Sequence, residues 1–191
     1  EWNNRPYFAM AFVDGENLEA LVDRMGPLQE GHVLSWIRPV ADAVSYLHTQ
    51  KRPIIHRDIK PGNIIVTKDG RPFLVDFGIA KVITSSLWRN KTTRAARAVS
   101  GGYSPLEQYT RGGTDARSDV YALGATLYHL LTGVSPPEAP DIASGVVKLP
   151  EPHLFNRKIS HWTEQVILKA MQQKPEDRFQ SVRDLLNTLP R

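Results

Sequence analysis

Apolar positions along the chain change their period several times, and each change predicts a different element. Residues 7–13 (YFAMAFV) are almost all apolar and stop at Asp14-Gly15. They predict a buried strand closed by a turn, with its partner strands outside this sequence. From Asn17 the segment NLEALVDRM predicts a short helix that ends at Gly26-Pro27. Val33, Ile37, Val40, Val44 and Leu47 then recur on one face of a longer helix, in which Pro39 predicts a kink or a later start. After Lys51-Arg52-Pro53 the pieces become short and β-rich. Ile54-Ile55, residues 64–67 and residues 72–75 predict strands, with Lys68-Asp69-Gly70 as the hairpin turn between the last two.

Residues 79–104 show no sustained period and are dominated by Ser, Thr, Arg and Gly, the profile of a long functional loop. Residues 119–131 (DVYALGATLYHLL) are apolar nearly all round, which predicts a helix through the middle of the domain, ended by Gly133. The Pro-rich stretch from Pro136 to Pro152 predicts loop with one helical turn. Two amphipathic helices follow near residues 160–172 and 180–189. There is no internal repeat and no second domain.

Composition narrows the function classes. With 191 residues, 41% hydrophobic and 23% charged, the chain has the make-up of one soluble domain with a real core. It has no apolar run of membrane-spanning length and no signal-like start, so a cytoplasmic location is expected. The absence of cysteine rules out disulfides and thiolate-bound zinc, so any metal must rest on oxygen or histidine. A net charge of +4 without an aromatic-interleaved basic stripe argues against nucleic acid as a partner. Arg89, Lys91, Arg94, Arg97 and Arg111 do gather between Lys81 and Arg117, and a solvated loop face accounts for such a run.

The chemistry concentrates in His56-Arg57-Asp58-Ile59-Lys60-Pro61-Gly62-Asn63 and in Asp76-Phe77-Gly78, which follows the predicted hairpin. A carboxylate, an ammonium, an amide and a second carboxylate thereby fall on adjacent loops. Phosphoryl transfer needs such a set, because its catalysis is positioning plus neutralisation of charge on the transferred group. Asp58 can orient the attacking hydroxyl and take its proton, Lys60 can reach phosphoryl oxygens, and Asn63 and Asp76 offer oxygen ligands suited to Mg²⁺. Either triplet alone is a weak signal. Their order, strand context and spacing together are strong.

These motifs resemble the catalytic and magnesium-binding loops of the eukaryotic-type protein kinases, in the form common among bacterial serine/threonine kinases. Further stretches resemble the same family. Residues 102–109 (GYSPLEQY) are similar to the end of its activation segment, residues 118–124 (SDVYALG) to its central buried helix, and residues 174–179 (KPEDRF) to its closing segment. The resemblance implies an α+β, mainly α fold: a kinase-like large lobe, a helical bundle around a buried central helix with a small antiparallel β element at the active site. It implies a single partial kinase domain, with residues 1–16 as the last small-lobe strand and hinge and residues 17–191 as the large lobe. The missing small lobe would be its partner in the intact protein.

Under the resemblance, ATP and Mg²⁺, with Mn²⁺ as a substitute, are the cofactors, and proteins carrying Ser or Thr are the substrates. Asp58, Lys60 and Asn63 would be catalytic. Met10, Phe12, Val13, Lys60, Asn63, Ile65 and Asp76 would hold the nucleotide, and Asn63 and Asp76 the metal. Ser100 stands where the family usually has a threonine bridging the catalytic Asp and Lys, in the substrate-docking region. Arg57, with Thr92 and Thr93, would form a phosphorylation switch. His56, Phe77, Glu107, Asp119 and Arg178 would be structural: Glu107 and Arg178 as a buried ion pair, and Asp119 as acceptor for backbone near His56 and Arg57.

The chain also departs from the pattern. The glycine-rich loop, the ATP-contacting lysine and its glutamate are absent, Ala11 replaces a usual glutamate, and Pro105-Leu106-Glu107 replaces Ala-Pro-Glu. The 191-residue chain alone is therefore expected to be inactive, with an apolar rim around Phe8, Phe12 and Ile65. A pseudokinase scaffold and a small-molecule phosphotransferase are the alternatives. The intact residues 58, 60, 63 and 76 count against the first, and the long segment up to Glu107 against the second.

Overall fold

The computed structural model describes residues 11–76, 100–110 and 113–190. Most of the expected strand at 7–13 lies outside the described residues, as do Phe8, Met10, Phe77, Thr92 and Thr93.

The fold is organised on a helix whose sequence offers no polar face. In α4 (Ala116–Thr132) every residue from Ser118 to Thr132 is buried. Its ends are chemically marked. The Asp115 side chain accepts from the Arg117 N–H at 2.8 Å, and Gly133 closes the helix in the left-handed region with φ 73°. The hydroxyls of Thr126 and Thr132 donate to the carbonyls of Ala122 and Tyr128 one turn back, so neither is stranded in the core. Gly124 faces α6 (His161–Ala170), where a Cβ would come within 2.7 Å of the Ala170 Cβ. A side chain there would force the two helices apart.

Helix α2 (Glu30–His48) buries Val33, Leu34, Ile37, Val40, Ala41 and Val44 and packs on α4 and on α7 (Val182–Thr188). Each fully buried Leu, Ile or Val contributes about 1.5–3 kcal/mol relative to exposure. The helix begins ahead of the apolar pattern, at Glu30, whose carboxylate accepts from the Ser160 N–H at 2.7 Å and the Ser160 hydroxyl at 2.6 Å. Burial would raise the Glu30 pKa, but these hydrogen bonds and that of Thr163 outweigh it and lower it. The later start anticipated from Pro39 does not occur. Pro39 sits inside the helix, and both it and Ser35, whose carbonyl loses its donor, are exposed, so water can satisfy that carbonyl.

Three short strands form one antiparallel sheet in the order β1 (Gly15–Asn17), β2 (Ile64–Thr67), β3 (Pro72–Leu74). The expected hairpin is present, with Ile65 opposite Phe73. Two expectations are corrected. Asp14-Gly15 is not a closing turn, because Gly15 opens a strand whose partner is within the chain, with Glu16 opposite Val66. The polar triplet Gly-Glu-Asn pairs through its backbone, and a Cβ at Gly15 would lie 2.5 Å from the Val66 carbonyl oxygen. Nor is Ile54-Ile55 a strand: the Ile54 N–H donates to the carbonyl of Leu47 at the end of α2.

The remaining elements are short. Helix α1 (Leu18–Met25) is capped by Asn17, whose side chain accepts from the Ala20 N–H at 2.8 Å, and stops at Gly26. Helices α3 (Leu106–Tyr109) and α5 (Ala139–Ala143) flank α4 in sequence, the latter being the single turn expected in the Pro-rich stretch.

Candidate active site

The loop from His56 to Asn63 is pinned from below. Asp119, in the first turn of α4 and fully buried, accepts from the backbone N–H groups of His56 and Arg57, each at 2.8 Å. His48, the last residue of α2, places its Nε2 2.8 Å from Asp119 Oδ2. The buried carboxylate is thereby satisfied on both oxygens, and its position in the first helical turn adds a favourable dipole term. Arg57 has φ 67°, a left-handed backbone uncommon outside glycine, and its N–H bond to Asp119 helps hold it there. His48 was missed by sequence reasoning. Its one available signal was a polar residue directly after Leu47, at the end of an apolar helix face.

With the loop fixed, Asp58 faces three side chains. Ser100 donates its hydroxyl to Asp58 Oδ1 at 2.8 Å, and Lys60 Nζ donates to Ser100 Oγ at 3.0 Å while lying 3.5 Å from Asp58 Oδ2. Asn63 Nδ2 donates to the Asp58 carbonyl at 2.7 Å and to Oδ2 at 2.9 Å. Because the amide nitrogen is committed to Asp58, the amide oxygen of Asn63 is turned away from it. The Pro61–Asn63 3₁₀ turn delivers Asn63 to the start of β2, and the Val75 N–H donates to the Asn63 carbonyl at 2.9 Å. Asp76, one residue further, is exposed and has φ 56°. Asn63 and Asp76 therefore sit at neighbouring ends of β2 and β3, at the end of the sheet where Asn63 meets Asp58.

This donor set fits a hard cation. Among the described residues no group of three or more His, Cys, Asp or Glu converges as a self-sufficient metal cage. Mg²⁺ bound mainly through phosphate oxygens needs only one or two protein oxygens, and Asn63 and Asp76 can offer those. Of the residues expected at the nucleotide, Ile65 on β2 is partly buried, Val13 is partly buried and Phe12 is 90% exposed.

A second brace holds the helix at residues 106–109. Arg178, with a fully buried side chain, donates from Nη1 to Glu107 Oε1 at 2.7 Å and from Nη2 to Oε2 at 3.0 Å, a bidentate pair. Its remaining donors reach the carbonyls of Gln172, Gln173 and Arg117, and its guanidinium lies 5.1 Å from the Tyr121 ring centroid. Burial would raise the Glu107 pKa, but the hydrogen bonds and charge of Arg178 prevail and lower it. Gln108 reaches back to the Arg57 carbonyl at 3.3 Å, which links this brace to the loop.

A buried, mostly apolar helix with two braced loops and a small sheet matches the large lobe of a protein kinase, and the chain belongs to that family: the protein kinase domain matches residues 1–189. Its relatives include bacterial serine/threonine-protein kinases. Pkn1 of Myxococcus xanthus is 39% identical over 97% of this chain and 27% of its own length, and PknH of Mycobacterium bovis is 33% identical over 97% and 31%. Among solved structures, the apo form of PpkA-294 superposes with a TM-score of 0.76 at 26% identity, over 94% of this chain and 61% of that one. The PknI kinase domain of Mycobacterium tuberculosis gives 0.70 at 30% identity, over 92% and 61%. The chain thus spans about a third of the curated relatives' length. Among the described residues no helix is long and apolar enough to cross a membrane.

Proposed function

We propose that residues 1–191 form the hinge and large lobe of a protein kinase that transfers the γ-phosphoryl group of ATP to serine or threonine hydroxyls of proteins, on the cytoplasmic side, where ATP is available. The observation that carries this reading is the closed set of contacts among Asp58, Lys60, Asn63 and Ser100. A phosphoryl-transfer site needs its carboxylate, cation and docking hydroxyl held together before substrate arrives.

In this reading Asp58 accepts a hydrogen bond from the incoming hydroxyl, aligns its oxygen on the γ-phosphorus and takes the proton as the new P–O bond forms and the β–γ bridge breaks. Asn63 holds the Asp58 carboxylate in that orientation. Lys60, already within reach of Asp58 and Ser100, places its positive charge beside the transferred group. Asn63 and Asp76 would hold Mg²⁺, which when bound supplies neutralisation of the phosphate oxygens. Phe12, Val13, Ile65 and Met10 would line the adenine, and the exposed Phe12 fits a surface to be covered by nucleotide and a small lobe. Arg57, Thr92 and Thr93 would act as a phosphorylation switch on residues 79–104. Without a glycine-rich loop and its lysine, this chain alone is expected to turn over very slowly.

The test is Mg²⁺-dependent transfer of labelled γ-phosphate from ATP to serine- and threonine-containing proteins by the full-length polypeptide that carries this chain. Asp58→Asn should lower the rate about a hundred- to ten-thousandfold, the usual worth of a positioned acid–base group, with the fold intact by circular dichroism. A wild-type protein that labels no protein substrate, or an Asp58→Asn variant as fast as wild type, would sink the reading.

A further inference from the structure

The side of the docking segment opposite Asp58 ends on a buried histidine whose role nothing above explains. Residues 100–104 form a tight turn, with the Tyr103 and Ser104 N–H groups donating to the Ser100 carbonyl at 3.1 Å and the Ser104 hydroxyl accepting from the Ser100 N–H at 3.1 Å. One end of the turn carries the Ser100 hydroxyl that touches Asp58 and Lys60. The other end carries Tyr103, which is 7% exposed and whose hydroxyl lies 2.6 Å from Nδ1 of His129, in the last turns of α4. Ser135, just past the helix, comes within 3.4 Å of the same hydroxyl.

The backbone between these ends leaves little slack. Gly102 has φ 79°, and a Cβ there would lie 2.4 Å from the Pro136 carbonyl oxygen, while a Cβ at Gly101 would lie 3.0 Å from the Glu138 carboxylate. The turn is therefore seated against Pro136 and Glu138, with the Tyr103–His129 hydrogen bond buried at its far end. We propose that His129 is a positioning residue for protein-substrate docking, which accepts the Tyr103 hydroxyl and through the turn at 100–104 holds Ser100 on Asp58 and Lys60. This inference rests on the kinase reading for its substrate, but the anchoring itself does not depend on it.

The polarity of the bond supports a neutral His129. Burial lowers its pKa, against the opposing pull of Asp23 and Glu19 on α1, the carboxylates that act on it. Burial likewise pushes Tyr103 up to about 12, so its hydroxyl keeps its proton and donates. A neutral imidazole carrying its proton on Nε2 presents Nδ1 as the acceptor. Protonation would convert that acceptor into a donor and force the Tyr103 hydroxyl to reverse.

The experiment uses Tyr103→Phe, His129→Leu and His129→Asn in the full-length protein, because an Asn carbonyl oxygen can stand in for Nδ1 while Leu cannot. Tyr103→Phe and His129→Leu should each raise KM for a protein substrate roughly three- to tenfold, the worth of one neutral hydrogen bond, with KM for ATP unchanged. His129→Asn should restore the wild-type KM, and it should also lack any fall in kcat/KM for protein substrate that wild type shows below pH 6.5. Amide hydrogen exchange at residues 101–104 should speed up in Tyr103→Phe and His129→Leu but not in His129→Asn. If exchange there is unchanged in Tyr103→Phe, or if His129→Asn is as defective as His129→Leu, the proposal fails even if the enzyme is active. If wild type labels no protein, the kinase reading fails, and exchange still decides the anchoring.

Discussion

Asp119 and Asp58 are both carboxylates of the same loop system, yet they live in opposite surroundings. Asp119 has no exposed side-chain surface and is filled by two backbone N–H groups and His48, whereas the Asp58 side chain keeps 18% of its surface in contact with solvent. A carboxylate offers about four acceptor sites. On Asp119 they serve the loop backbone and His48; on Asp58 the neighbours are the side chains of Ser100, Asn63 and Lys60, which orient it without enclosing it. The same division separates Glu107, clamped by Arg178, from the exposed Asp76. Glu107, 14% exposed, differs from Asp58 less in burial than in its partners: acids clamped by fixed donors brace the chain, and in the proposed reading the others do the chemistry.

Breaking the buried side of this division should have the largest effect. Arg178→Ala removes the bidentate partner of Glu107 and the donors to Gln172, Gln173 and Arg117, leaving a carboxylate in a partly buried site. Urea unfolding should show a loss of about 3–5 kcal/mol, as expected when one member of a buried pair is removed. A loss within experimental error would mean that the pair braces nothing. Asp119→Asn is the next step down. An amide cannot accept on both sides, so one N–H of His56 or Arg57 would face an NH₂ group, at a cost of about 1–3 kcal/mol. Transfer activity should fall further than stability, since the loop that carries Asp58 would shift.

The pH response sharpens the contrast. Arg178 holds the Glu107 pKa below its ordinary value of 4.5. The folded state then binds fewer protons than the unfolded chain, so the stabilisation is complete above pH 4.5 and is lost as pH falls through the folded value. Unfolding curves between pH 6 and 3 should fall more steeply for wild type than for Glu107→Gln, and parallel curves would contradict the assignment. The smallest effect is expected at the accessible side. Ser100→Thr keeps the hydroxyl between Asp58 and Lys60 and should leave kcat within about threefold, whereas Ser100→Ala should cost roughly tenfold, about one hydrogen bond to a charged group.

Much of the fold was legible because local pattern and tertiary role agree. The run at 119–131, apolar nearly all round, predicted a buried helix, and it is one. The turn at 68–70 between β-rich pieces could only be a hairpin. The Glu107–Arg178 pair and the Asp119 hydrogen bonds join distant positions, and only the resemblance to the kinase family named their partners; both contacts are present. What escaped was whatever pairs at long range with neither a hydrophobic signature nor a family motif. Strand β1 is a polar triplet defined only by its register with β2. The start of α2 is set by Glu30 reaching Ser160, 130 positions away. The histidines at 48 and 129 each meet a partner that no local window contains.

The left-handed backbone at Asp76, with φ 56°, reaches beyond this one molecule. Glycine adopts that conformation freely and asparagine tolerates it, while branched side chains resist it. A saturation library at codon 76 selected only for soluble protein should therefore recover Gly and Asn beside Asp, and, under the proposed metal-holding role, one selected for phosphate transfer should discard both Gly and Asn. Under that role the codon is filtered twice, once by shape and once by charge.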